Sequence, residues 1–242
     1  MNNSKKDKDK KKTVSDSVKN EIKKFNDSNT RDHVLSLFKA ALSTSPIGGF
    51  FASLIDDYIP SRRIIRIEEF MKEAAETLIR HEAQIDSSRI KTDHYAYIFE
   101  QCLRGVALHH QPEKIECYRA ILVNAAKQSS VPDDAQEYYL SLVDRLTPLH
   151  IKLLGILDRA AKMPRDSAYP GSQDTIQSIL KGVDKDVLVG LYSEFENINF
   201  TNTNATYFES LVNVPLERVE GRINATARKF IEFITLDKDY KD

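Results

Sequence analysis

Between Pro60 and Gly105 the chain contains neither glycine nor proline. Within that stretch Ile64, Ile67, Met71, Ala74, Leu78, His81 and Ile85 recur in alternating steps of three and four. At 3.6 residues per turn, such steps bring side chains onto one stripe of an α-helix. The pattern predicts a long heptad-patterned helix over about residues 60–86, with Ser61 as a plausible N-cap. Ile65, Phe70, Ala75 and Ile79 widen the stripe, which suits a multi-helix bundle better than a two-stranded coil. Ile64, Ile67, Met71, Ala74 and Leu78 form the candidate oligomerisation seam.

Breakers are sparse elsewhere too, at eight Gly and eight Pro in 242 residues, so the expected fold is mainly α. Val14, Val18, Ile22 and Phe25 mark a helix over about 14–26, and another follows over about 31–43. Thr92 can cap a helix over 93–108 that buries Tyr95, Ile98, Phe99, Cys102, Leu103 and Val106. Pro112 sits at a first-turn position of a helix burying Ile115, Tyr118, Ile121, Leu122 and Ala125. Pro132-Asp133-Asp134 opens a further helix, with acids placed well for the helix dipole, and Thr147-Pro148 ends it. The domain reading is a disordered basic tail over 1–13, a helical bundle over 14–130, a second module over 131–236, and a flexible end over 237–242.

A formal net charge of −1 argues against a generic nucleic-acid binder. The charge is unevenly spread. Residues 1–25 carry nine Lys and four acids, whereas residues 131–242 carry 13 basic and 18 acidic groups. No apolar signal core follows the N-terminal lysines, so the expected location is cytoplasmic, with Cys102 and Cys117 reduced.

Residues 40–55 carry no charge and are shorter than the roughly 20 residues a bilayer span needs. Pro46 and Gly48-Gly49 break this stretch into a helical hairpin over about 40–59. Phe50, Phe51, Leu54 and Ile55 are its candidate membrane or partner contacts, with burial in a core as the competing reading.

Beyond residue 145 the pattern changes to shorter helices. RLTPLHIKLLGILDRA, SQDTIQSILKG and DKDVLVGLYSEFENI are followed by NINFTNTNAT, suited to turns and short strands. A last helix over about 222–236 buries Ile223, Ala227, Phe230, Ile231 and Ile234. Three helices, a polar segment and a closing amphipathic helix resemble a winged-helix module. A winged helix that reads DNA presents donors and cations on its third helix. Here that helix, about 184–196, offers Lys185 among Asp184, Asp186, Ser193, Glu194 and Glu196, a face that repels phosphate. Arg218, Arg222, Arg228 and Lys229 are the candidate nucleic-acid contacts.

No motif for phosphate cradling, nucleophilic catalysis or metal hydrolysis is present: GxxxxGK[ST], GxGxxG, GxSxG and HExxH are all missing. His109-His110 lies between Cys102 and Cys117 at a spacing that fits no zinc pattern. No cofactor, metal site or catalytic residue is expected, and the chain reads as a non-enzyme.

Three stretches, ALSTSPIGGFFASLIDDYIPSRRIIRIEEF, KIECYRAILVNAA, and LVDRLTPLHIKLLGIL with the late ATARKFIEFI, together resemble a widespread group of uncharacterised bacterial and phage-associated helical proteins. The resemblance implies a bacterial, cytosolic, two-part helical protein with a winged-helix-like C-terminal module. The leading expectation is a regulatory protein acting through a protein partner or self-association. The alternatives are a winged-helix DNA-binding transcription regulator and a membrane-active effector of phage defence.

Overall fold

The computed structural model describes residues 60–127, 131–163, 174–219 and 222–236. Among them the architecture is mainly helical, with isolated β-bridges and no named strand. The chain divides into two compact units between Leu140 and Ser141, a division that falls inside one helix, Asp133–Arg145. The helices expected over 14–26 and 31–43, and the hairpin with Phe50, Phe51, Leu54 and Ile55, lie outside the described residues.

The first unit is built on four helices: α1 (Pro60–Arg80), α2 (Ser87–Ile90), α3 (Asp93–Leu108) and α4 (Pro112–Ala126). α1 packs on α3 and α4, which form a hairpin across residues 109–111. Ile67, Met71, Ala74 and Leu78 of the seam are all buried within the unit. Thr92 caps α3 as expected, its hydroxyl accepting from the Tyr95 N–H at 3.1 Å. The six apolar residues assigned to α3 are all buried, whereas Ile115 of α4 is only half-buried.

The helices meet closely at Gly105. A Cβ there would lie 2.3 Å from Cζ of Tyr118, so the tyrosine ring fills the space a side chain would take. At the end of α3, Arg66 of α1 donates to the carbonyls of Val106 and Ala107, the latter at 3.0 Å.

Both ends of α1 differ from expectation. α1 starts at Pro60 itself, with Ser61 inside the first turn, and it stops at Arg80 rather than near residue 86. The stop has a tertiary cause. Ile85 forms an antiparallel bridge with Lys127, and the Asp86 N–H donates to the Ala126 carbonyl at 2.9 Å. Asp86 then accepts from the Ser88 N–H and starts α2.

The helix Asp133–Arg145, α5, begins at the expected acids and leaves Tyr138 46% exposed. The second unit continues with α6 (Pro148–Ala161), α7 (Ile176–Ile179), α8 (Lys185–Asn197), α9 (Ala205–Glu209) and α10 (Ala225–Ile234). Each of these begins on a residue whose side chain accepts from a backbone N–H: Thr147, Thr175, Asp184, Asn204 and Asn224. Two extended crossings tie the unit together, Thr175 with Pro215 and Thr201 with Ile223. The second crossing explains why α10 starts at Ala225 and not near residue 222. The Asn202 N–H donates to the Arg222 carbonyl at 3.0 Å, and the Asn224 N–H to the Phe200 carbonyl at 3.0 Å.

Aromatic residues fill this unit. Tyr192 stacks on Phe208 with ring centroids 4.0 Å apart, and Phe200 packs on Phe230 at 5.1 Å. The Tyr192 hydroxyl lies 2.7 Å from the Thr203 hydroxyl, so its polar end is satisfied while its ring is buried. Burial holds its pKa above the ordinary tyrosine value.

Candidate functional site

The second unit presents three surfaces built by its helices. The first is cationic. Arg218 closes a 3-10 turn over Leu216–Arg218 and is exposed, as are Arg228 and Lys229 on α10. Arg222 is half-buried beside them in sequence. Its guanidinium carbon lies 4.9 Å above the Tyr207 ring, and its carbonyl accepts from the Asn202 N–H. Arg228 and Lys229 are adjacent on α10 and so point about 100° apart.

The second surface is the outer side of α8. Leu188, Leu191, Tyr192 and Phe195 point inward. The opposite side exposes Asp186, Val187, Gly190, Glu194 and Asn197, with Val187 47% exposed. Lys185 is held at 2.9 Å by Glu209, so the single cation of this helix is already paired. A duplex brought against α8 meets carboxylates.

The third surface was not foreseen from the sequence. Leu149, Lys152, Gly155, Ile156 and Arg159 fall on one side of α6, at steps of three and four. They face Ile179, Leu180, Lys181 and Val183 across an open groove of about 560 Å³. The floor is apolar, and the rim carries the cations Lys152, Arg159 and Lys181, of which Arg159 also pairs with Asp174 at 3.2 Å. The available sequence signal was the mid-helix glycine in LLGILDR, since a glycine there is disfavoured unless something needs to approach.

Buried polar groups account for the remaining reactive side chains. His150 is 2% exposed, and its Nδ1 accepts from the Thr147 N–H at 3.1 Å. Its Nε2 faces Glu194 at 3.2 Å, and its ring meets Phe195 edge-on at 5.4 Å. A threonine, a histidine and a carboxylate in this order look like a hydrolytic relay. The Nδ1 atom also lies 2.8 Å from the Thr147 hydroxyl, which in turn accepts from the His150 N–H as the helix cap. Thr147 and His150 together form the capping box that starts α6. Cys102 and Cys117 are buried thiols in no disulfide, Cys102 donates to the Tyr118 carbonyl, and burial pushes the Cys117 thiol up to about 12, so it stays protonated. His109 stacks on Tyr118 at 6.1 Å, and no group of three or more metal-ligating side chains converges among the described residues.

The proposed seam residues Ile67, Met71, Ala74 and Leu78 lie inside the first unit, facing helices of their own chain. Among the described residues no helix is long and apolar enough to cross a membrane. No protein-family model matches the chain, and no curated protein and no solved structure proved similar to it.

Proposed function

We propose that this chain is a non-enzymatic interaction protein of bacterial or phage origin that acts through protein contacts. Its 131–236 segment is a winged-helix-like module used for contact rather than for reading DNA. The order α6, α7, α8 supports the winged-helix part, together with the extended crossings at Thr175 and Thr201. α9 and the 3-10 turn occupy the place where a wing hairpin would stand.

The observation that carries the contact reading is the outer side of α8, where a DNA reader needs cations and this chain exposes Asp186 and Glu194. Phosphate neutralisation supplies most of the affinity of a duplex binder, and a carboxylate face opposes it. The second reading, a DNA-binding regulator, is favoured by the exposed Arg218, Arg228 and Lys229 with Arg222 beside them.

Fluorescence anisotropy of a mixed-sequence duplex, titrated with the full chain across a salt series, separates the two. The triple variant Arg222→Glu, Arg228→Glu, Lys229→Glu is the control. We expect the variant and the parent to behave alike. Salt-sensitive binding by the parent that disappears in the variant would make regulation through DNA the correct reading.

A further inference from the structure

The geometry points to head-to-tail self-association, in which the outer side of α8 from one copy lies in the α6–α7 groove of the next. This inference rests on the protein-contact reading above and names the partner as a second copy of the chain.

Two glycines carry the argument. Gly155 sits mid-way along α6 in the groove, and Gly190 sits mid-way along α8 on its outer side. A Cβ built on either one would meet nothing within 4 Å among the described residues. Neither glycine is required by packing against the described residues, yet glycine in a helix interior costs roughly 1 kcal/mol relative to alanine. What a bare stretch of helix permits is the close approach of a second helix. Gly105 shows the contrast, because there the missing side chain is replaced by Tyr118.

The charges are complementary. The groove carries Lys152 and Lys181 on its rim, with Arg159 beside Asp174. The α8 side carries Asp186 before Gly190 and, after it, Glu194, which also faces His150 within its own chain, with the exposed Val187 available for the apolar floor. The lengths also agree. At about 1.5 Å per residue, positions 149–159 of α6 and 186–197 of α8 each span roughly 15 Å. Because the two surfaces differ, the contact is heterologous, and a dimer keeps one free groove on one copy and one free helix on the other.

Sedimentation velocity on the full chain tests this with two blocked variants. The groove variant is Lys152→Glu, Lys181→Glu; the helix variant is Asp186→Asn, Gly190→Leu, which offers the reversed groove no cation. The parent should associate increasingly with concentration and less at high salt, because exposed charge pairs are screened. Each variant alone should remain monomeric. An equimolar mixture should form a one-to-one dimer and stop there, since only one compatible groove and helix remain.

Gly155→Leu and Gly190→Leu provide a second, uncharged block and should act in the same way, with circular dichroism confirming that each variant is folded. A parent that stays monomeric across the series overturns the inference. So does a parent-like association in both blocked variants, or a mixture that stays monomeric. DNA binding through the α10 cations would instead overturn the protein-contact reading, so the two failures are distinct.

Discussion

The two units hold their helices together by different means. In the first unit, α1, α3 and α4 are long, and their inward sides are almost continuously buried: Phe99, Ile98, Cys102 and Val106 of α3 are each 0% exposed. In the second, α7 and α9 are four and five residues long, too short to be stable alone. There the helices start on side-chain caps, and stacked rings such as Tyr192 and Phe208 fill the interior. Long helices draw stability from area and fit. Short ones depend on each end being satisfied, because unpaired end groups make up most of their backbone. The first unit should therefore be most sensitive to shape, and the second to the loss of single polar atoms.

The sharpest test of shape is Gly105→Ala. With three Tyr118 ring atoms between 2.3 and 2.7 Å from the added carbon, α3 and α4 must separate. Overpacking of this kind costs roughly 3 kcal/mol, which chemical denaturation followed by circular dichroism would read. A loss under about 0.5 kcal/mol would mean that the hairpin is looser than its burial implies.

Next in size is Asn224→Ala in the second unit. Its Oδ1 accepts from the Ala227 N–H at 3.0 Å, and its Nδ2 donates to the Asn199 carbonyl. Losing a cap and a second hydrogen bond together should cost about 2 kcal/mol, more than the roughly 1 kcal/mol expected for Thr92→Ala in the first unit. Equal losses at the two caps would erase the contrast between the units. The smallest effect belongs to Lys185→Gln, which removes the exposed pair with Glu209. Surface pairs contribute less than about 1 kcal/mol, so its melting temperature should stay within a degree or two of the parent's.

How legible these elements were depended on whether their cause is local. Thr92 and Pro112 announce helix starts, and Thr147-Pro148 a helix end, through the chemistry of one or two residues, and the helices begin and stop there. The end of α1 is written elsewhere. The seam continues through His81 and Ile85, and the chain leaves the helix because Ile85 pairs with Lys127, a partner far along the sequence. The start of α10 is displaced for the same kind of reason, by pairing between Ile223 and Thr201. At the surface, the cations at 218–229 and the carboxylates of α8 could be read directly. The groove could not, because its two sides come from residues 149–159 and 179–183, which only folding brings together.

The fit of Tyr118 against Gly105 also bears on how such a chain can change over generations. Position 105 can accept a larger residue only after position 118 has become smaller, whereas the reverse order passes through an overpacked intermediate. One of the two mutational routes between these states is therefore open and the other closed. The order of substitutions in this hairpin would be constrained even if its starting and ending sequences were equally stable.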